Sequence, residues 1–508
     1  ISLVSSASLR THFVCVGFVI EILVDNMGLM IAAAAVVVLT IVLGLLSNFS
    51  WRKYHKGQLS GPQWVWPVVG ATLYCITDPY GYWITQRNYG KLSWNSLFGK
   101  FLILAGDVAS CRSILTQTGS HAFQMVVHPN SSIVLGEDHL AVMMDDTHKY
   151  FRHLTSSILT PARLAGVIPT QDRIMREHLQ QWITDTKDGK TMLVRHGVRD
   201  MVMDQNQEVF LGGYLAKEYR KKFAVDWGNV NDGLLSFPLL IPGLGLWKAR
   251  ASRFRLTDSI EDCFRRCRDD VDAGREVHPC LMSHWIEHLT STKEILETNE
   301  DEMTHAILDF MFASQDASIS ALTWTVDLMN GYPDVFARVR AEQKKMRPND
   351  EPITAEMVRN MTYTRQVVNE ILRFRPPAIF IPHLAHQDVK LPTYTVPKGS
   401  LIFVDVYAAC REGYSQPDTF NPDRFGPEMN ENEKFRTNYL VFGTGLHVCA
   451  GRHYAFNQLV VWLALLGSNA NITRLNPDPE YKYQFAPTIT PQDHVVASFK
   501  SFSYVESN

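Results

Sequence analysis

A run of twenty residues without charge, Met27 to Leu46, is long enough to cross a bilayer as one helix. Glu21 and Asp25 precede it, and Arg52, Lys53 and Lys56 follow at once, so the basic flank and the bulk of the chain are expected on the cytosolic side. A cleaved signal peptide would carry a shorter apolar stretch and a small-residue cleavage site. Residues 1–26, whose apolar stretch Phe13 to Val24 is broken by Glu21, read as a leader or gene-model extension before a start at Met27. Residues 47–70 read as a hinge ending in the stiff segment S-G-P-Q-W-V-W-P-V-V-G, Ser60 to Gly70.

Beyond the hinge, the pattern predicts strands with short helices to about Leu115, then a mainly helical body to about Phe374. A strand-rich stretch follows to Val406, and an apolar helix carries Tyr454, Ala455, Leu459, Trp462 and Leu463. A long helix is expected over residues 301–330. Phe237 to Trp247 is apolar but holds two prolines and two glycines, which excludes a regular helix and suits a loop dipping into lipid. No repeat or low-complexity linker divides residues 71–508, so they are expected to form one domain, mainly α with a smaller β subdomain (α+β).

Composition adds little beyond bounds. A hydrophobic content of 46% in 508 residues supports one large core, and a net charge of −3 argues against nucleic acid as a partner. The eight cysteines are scattered singly except Cys263 and Cys267, which read as a coincidence on a surface helix rather than half of a metal site. A reducing compartment fits them.

The chemistry concentrates in F-G-T-G-L-H-V-C-A-G, Phe442 to Gly451. Gly443 and Gly445 let the chain double back, Phe442 offers an apolar surface, and Gly451 lets the next helix approach closely. The loop presents Cys449 as a thiolate for a haem iron, with His447 placed to meet a propionate. Upstream, Glu370 and Arg373 share a helix face before Pro376-Pro377, and Arg424 lies twenty-five residues before the cysteine. Together they can form a buried charge cluster that locks the cysteine-bearing segment.

In these residues the chain resembles the cytochrome P-450 family of haem-thiolate monooxygenases, from about Trp51 to the C-terminus. The resemblance implies that fold with one N-terminal transmembrane helix, haem b ligated by Cys449, and Glu370, Arg373 and Arg424 as a structural triad. Where the family usually has arginine, this chain has His447. His148 and Arg152, in H-K-Y-F-R, are candidates for the propionates. His383 and His386 are a possible metal pair but read better as pocket or propionate contacts.

Within that family, F-A-S-Q-D-A-S, Phe312 to Ser318, is similar to the sterol C-22 desaturase branch of fungi and plants. R-F-R-P-P-A-I-F-I-P, Y-T-V-P-K-G and the histidine of the cysteine loop resemble that branch too. The resemblance implies that Asp316 and Ser318 relay protons, with Ala317 where a threonine is usual. Ala313, Ile379 and Phe380 are expected to line the substrate pocket. It further implies an apolar sterol entering from the membrane lipid, O2, and electrons from NADPH through a cytochrome P-450 reductase. Lys149, Arg152, Lys434 and Arg436 could face that reductase, although such charges are more often plain solvated surface. The expected place is the endoplasmic reticulum membrane, single-pass, with the catalytic domain in the cytosol. Rival expectations are a sterol 14α-demethylase or general hydroxylase of the same family, a peroxide-rearranging isomerase, and a non-catalytic haem sensor.

Overall fold

The computed structural model describes residues 31–46, 51, 54, 57–66, 69–126, 128–137, 139–293, 299–478, 480–485 and 488–504. The leader 1–26, residues 27–30 of the apolar run and part of the hinge 47–70 lie outside them. Residues 31–46 form a helix, α1, whose apolar side chains are exposed along its length. Among the described residues no helix is long and apolar enough to cross a membrane.

Five strands make the main sheet. β1 (Leu92–Leu97) and β2 (Lys100–Ala105) form a hairpin closed by Phe98 and Gly99. Both closing residues have positive φ, 52° and 70°, which matches the turn to the twist of the strands. β3 (Phe123–Met125), β4 (Phe380–Ala385) and β5 (Leu401–Asp405) complete the order β1-β2-β5-β4-β3. β2 and β5 pair in parallel and the other neighbours antiparallel, so the sheet ties residues 92–125 to residues 380–405.

The helical body contains α2 (Asp145–Ser156), α3 (Pro161–Asp185), α4 (Val194–Asn206), α5 (Lys217–Leu234) and α6 (Gly245–Asp272). α7 (Glu300–Gly331), α8 (Thr362–Phe374) and α9 (Arg452–Asn469) follow. α7 starts at an Asn299 cap and carries Glu300, Asp301 and Glu302 in its first turn, where carboxylates favour the helix dipole. Its character changes along its length. From Ser318 to Met329 every residue is buried, so this half runs through the core formed with α3, α4, α8 and α9. Trp182, Trp324 and Trp462 fill that core, and the Trp462 indole N–H donates to Leu322 O at 3.3 Å. The other half of α7 joins α5 and α6 in a second core around Trp227 and Phe264.

Two expectations are corrected here. Cys263 and Cys267 are not on a surface, being 1% and 0% exposed. With Ile260 and Phe264 they follow the i, i+3, i+4, i+7 spacing that faces α6 into the second core, and the charged residues between them point outward. Among the described residues no cluster of His, Cys, Asp and Glu could hold a metal ion. The stretch Phe237 to Trp247 is irregular only as far as Leu244, because α6 begins at Gly245. Phe237, Leu239, Leu240, Ile241, Leu244 and Trp247 are exposed, Phe237 at 75%, while Leu246 is buried.

Candidate functional site

The cysteine loop hangs between the sheet side of the molecule and α9. Gly443 and Gly445 take φ values of +69° and +81°, a region that side chains rarely occupy. Gly445 is doubly constrained, because a Cβ there would lie 2.6 Å from the Leu115 carbonyl oxygen. Gly451 is different. A Cβ there would meet no protein atom within 4 Å, so packing within the protein does not itself demand a glycine. The loop closes on itself through the Cys449 N–H, which donates to Phe442 O at 2.9 Å, and the Val448 N–H, which donates to Gly445 O at 3.2 Å. Phe442 itself packs half-buried against the principal core.

Cys449 is the exposed one among the described cysteines. Burial of the surrounding loop raises its thiol above the ordinary value, opposed by the Gly451 N–H and by the charges of Arg152 and Arg452. A cation bonded to the sulfur would remove that proton outright.

α2 brings His148 and Arg152 onto the loop. The Arg152 guanidinium donates to Val448 O. The rings of His148 and His447 stack at 3.8 Å with 11° between their planes. Gly119, with φ +80°, backs onto His447, and any side chain at 119 would collide with that ring. The Nε2 of His447 is buried without a hydrogen-bond partner. Burial, then the neighbouring His148, His383 and Arg152, lower His447 to about 4. His383 is fully buried, with Nε2 2.9 Å from Thr118 Oγ1 and Nδ1 2.9 Å from Ile381 O. His386 instead meets Gln124 Oε1 at 3.0 Å on the surface, so the two do not form a metal pair.

The charge cluster joins α8 to the segment 415–431 that precedes the loop. Arg373 pairs with Glu370 through Nε–Oε2 at 2.7 Å and Nη2–Oε1 at 2.9 Å. Arg424 Nε reaches Glu370 at 3.1 Å, while its Nη1 reaches Glu431 Oε2 at 2.7 Å. Glu431 is the residue that sequence reasoning missed. It balances the second arginine, so two carboxylates meet two guanidinium groups with almost no exposure. The remaining donors of Arg373 and Arg424 go to carbonyls of Pro417, Ser415 and Thr419 at 2.9, 2.9 and 3.0 Å.

On α7, Ala313 is exposed, and Ser314, Asp316 and Ala317 keep part of their surface. Ser318 does not: it is 5% exposed, so it lies deeper than Asp316 and Ala317. A hydroxyl does reach this turn from elsewhere, as Thr488 Oγ1 donates to Asp316 O at 3.0 Å. Nothing in the linear pattern marks Thr488. Burial pushes the Asp316 carboxyl up to about 6, with Arg195 opposing and Asp232 adding. An acid raised in the folded state costs stability when ionised. That cost is absent below the ordinary 3.8, grows up to about 6 and persists above it. Asp316→Asn is therefore expected to raise the melting midpoint at neutral pH by on the order of a few degrees. The gain should vanish near pH 3.8, and thermal melts at both values check it. An equal gain at both values would contradict the buried-carboxylate account.

Ile379 is 3% exposed within the principal core, and Phe380 meets Trp83 at 4.1 Å with 40° between the planes and stacks on Phe485 at 6.1 Å. Ile379 thus offers almost no surface to a substrate. Of the surface cations, Lys149 is paired with Asp146 at 2.9 Å and Lys434 donates to Met429 O at 2.8 Å.

The family model described as cytochrome P-450 matches residues 59–470. The chain is 32% identical over 480 residues to cytochrome P-450 710A3 of Arabidopsis thaliana, covering 93% of this chain and 97% of that one. It is 29% identical over 473 residues to the C-22 sterol desaturase ERG5 of Saccharomyces cerevisiae, covering 88% and 86%. Among solved structures, the retinoic acid bound cyanobacterial CYP120A1 superposes with a TM-score of 0.74 at 23% identity, over 86% of this chain and 97% of that one.

Proposed function

Because the chain belongs to the cytochrome P-450 family of monooxygenases, we propose that it introduces the C-22 double bond into a sterol side chain, with Cys449 as axial ligand of its haem. The observation that carries the substrate is the similarity to a C-22 sterol desaturase over 88% of the chain, joined to the resemblance of the F-A-S-Q-D-A-S turn of α7 to that branch.

The residues present fit a haem. An accessible sulfur sits on a glycine-built loop, and a buried His447 nitrogen lacks a partner. Arg152 and the stacked His148 stand beside it. Cys449 would hold the iron, and Arg152, His148 and His447 would hold the propionates. Thiolate-ligated haem iron supplies oxidation of an unactivated C–H bond by O2 and two electrons. The chain's own part is to position and to manage protons. Asp316, with a value near 6, can take and return a proton near neutral pH, and Ala313 and Ala317 bring no hydroxyl of their own to that turn.

Electrons would come from NADPH through a flavoprotein reductase docking near Cys449. The exposed apolar faces of α1 and of Phe237–Leu244 support attachment to a membrane, and the endoplasmic reticulum with a cytosolic catalytic domain is the proposed site. The test is product analysis after incubation with reductase, NADPH and a sterol saturated at C-22. A new side-chain alkene is expected; a stable alcohol or a demethylated nucleus as sole product would refute desaturation.

A further inference from the structure

A cavity of about 490 Å³ lies between α2, α6, the N-terminal half of α7 and the loop around Leu140. Two of its walls are elements of the site already described. α2 turns Thr147, Phe151 and Thr155 to it, beside the His148 and Arg152 that meet the cysteine loop, and α7 contributes Ala306 and Asp309, one turn before Ala313. Leu135, Leu140, Met143 and Phe151 give the lining apolar surface, and the α7 wall adds the polar groups Asp301, Glu302, His305 and Asp309. Asp309 Oδ2 accepts from the Leu140 N–H at 2.8 Å, and its other oxygen has no hydrogen-bond partner among the described residues. Arg253, across the cavity, approaches His305 Nε2 at 3.4 Å, while its Nε is buried without a partner. Gly136, with φ +119°, makes room for that guanidinium, since a Cβ would lie 2.8 Å from Nη2. Nothing in the haem chemistry uses these groups.

We propose that this cavity binds the ring hydroxyl of the sterol, the hydroxyl donating to Asp309 and accepting from Arg253. The inference rests on the sterol reading above and deepens it. Three observations support it. Asp309 lies eight residues before Ala317, ~12 Å along the helix axis, a distance comparable to the four-ring nucleus that separates a sterol's hydroxyl from its side chain. A carboxyl and a guanidinium facing one another suit a neutral group that both donates and accepts, and neither matches a purely hydrocarbon end. Burial also raises Asp309 to about 7, against the pull of the Leu140 N–H and Arg253, so near neutral pH the carboxyl can either accept from or donate to a hydroxyl.

The test titrates the haem-loaded full chain with a C-22-saturated 3-hydroxysterol and with its 3-O-methyl ether, following the spin-state change. The free hydroxyl is expected to bind on the order of tenfold tighter than the ether. Asp309→Leu should close that gap by weakening the hydroxysterol alone. Arg253→Leu, which leaves the Leu140–Asp309 bond intact, should narrow it as well and serves if the first variant does not fold. Equal affinities for the two ligands in the wild type, or a gap untouched in the variants, would overturn the assignment. Products from both ligands are measured in parallel. Side-chain desaturation without head-group discrimination rejects the Asp309 site and keeps the desaturase; no desaturation of either rejects the desaturase itself.

Discussion

Glu370→Ala is expected to yield little folded protein. The carboxylate bridges Arg373 and Arg424 and also accepts the Asn421 N–H at 2.8 Å, with no exposed surface. Its removal leaves Arg373 buried without an opposite charge. Breaking a buried pair in this way costs about 3–5 kcal/mol, a large part of a domain's typical ~5–15 kcal/mol. Glu431→Ala removes the other carboxylate but leaves Arg424 its bond to Glu370, so it should lose less. Denaturant titration or proteolysis of the two variants checks the order. Equal losses, or a Glu370→Ala protein as stable as wild type, would show that the cluster does not hold the cysteine-bearing segment.

The second large effect is on turnover. Cys449→Ser keeps the volume of the side chain and the N–H bond to Phe442 O, so the loop is expected to fold. It exchanges a soft sulfur for an oxygen that gives iron much less electron density. NADPH-dependent product formation should fall to background, on the order of a thousandfold or more, by analogy with losing a residue that acts only in the chemical step. The haem-free chain should keep its stability, since Cys449 is exposed there. A serine variant with near-normal turnover would remove the sulfur from the chemistry.

What the sequence discloses here follows distance along the chain. The cysteine loop was legible because Gly443, Gly445 and Cys449 lie within seven residues and each carries a local constraint. Glu370 and Arg373 share one helix turn, and Arg424 was placed by its interval to the cysteine rather than by contact. Glu431 was not legible. It sits in N-E-N-E-K, a run that reads as a solvated turn, and only the folded chain brings it under Arg424. The same holds for Gly119, which looks like an ordinary turn glycine until His447 is seen against it. The burial of Ser318 was hidden in the opposite direction. Its neighbours suggested chemistry, but one residue further along a helix is a rotation of ~100°, enough to move a hydroxyl from the open face into the core. The parallel pairing of β2 with β5, across some three hundred residues, carries no local signal.

Sulfur ligation to iron is the claim on which the rest depends, and the carbon monoxide difference spectrum of the reduced, haem-loaded protein tests it most directly. A strongly red-shifted Soret band, present in the wild type and lost in Cys449→Ser, is the result predicted. A wild-type band at the position given by histidine-ligated haem, or one unchanged by the substitution, would contradict it.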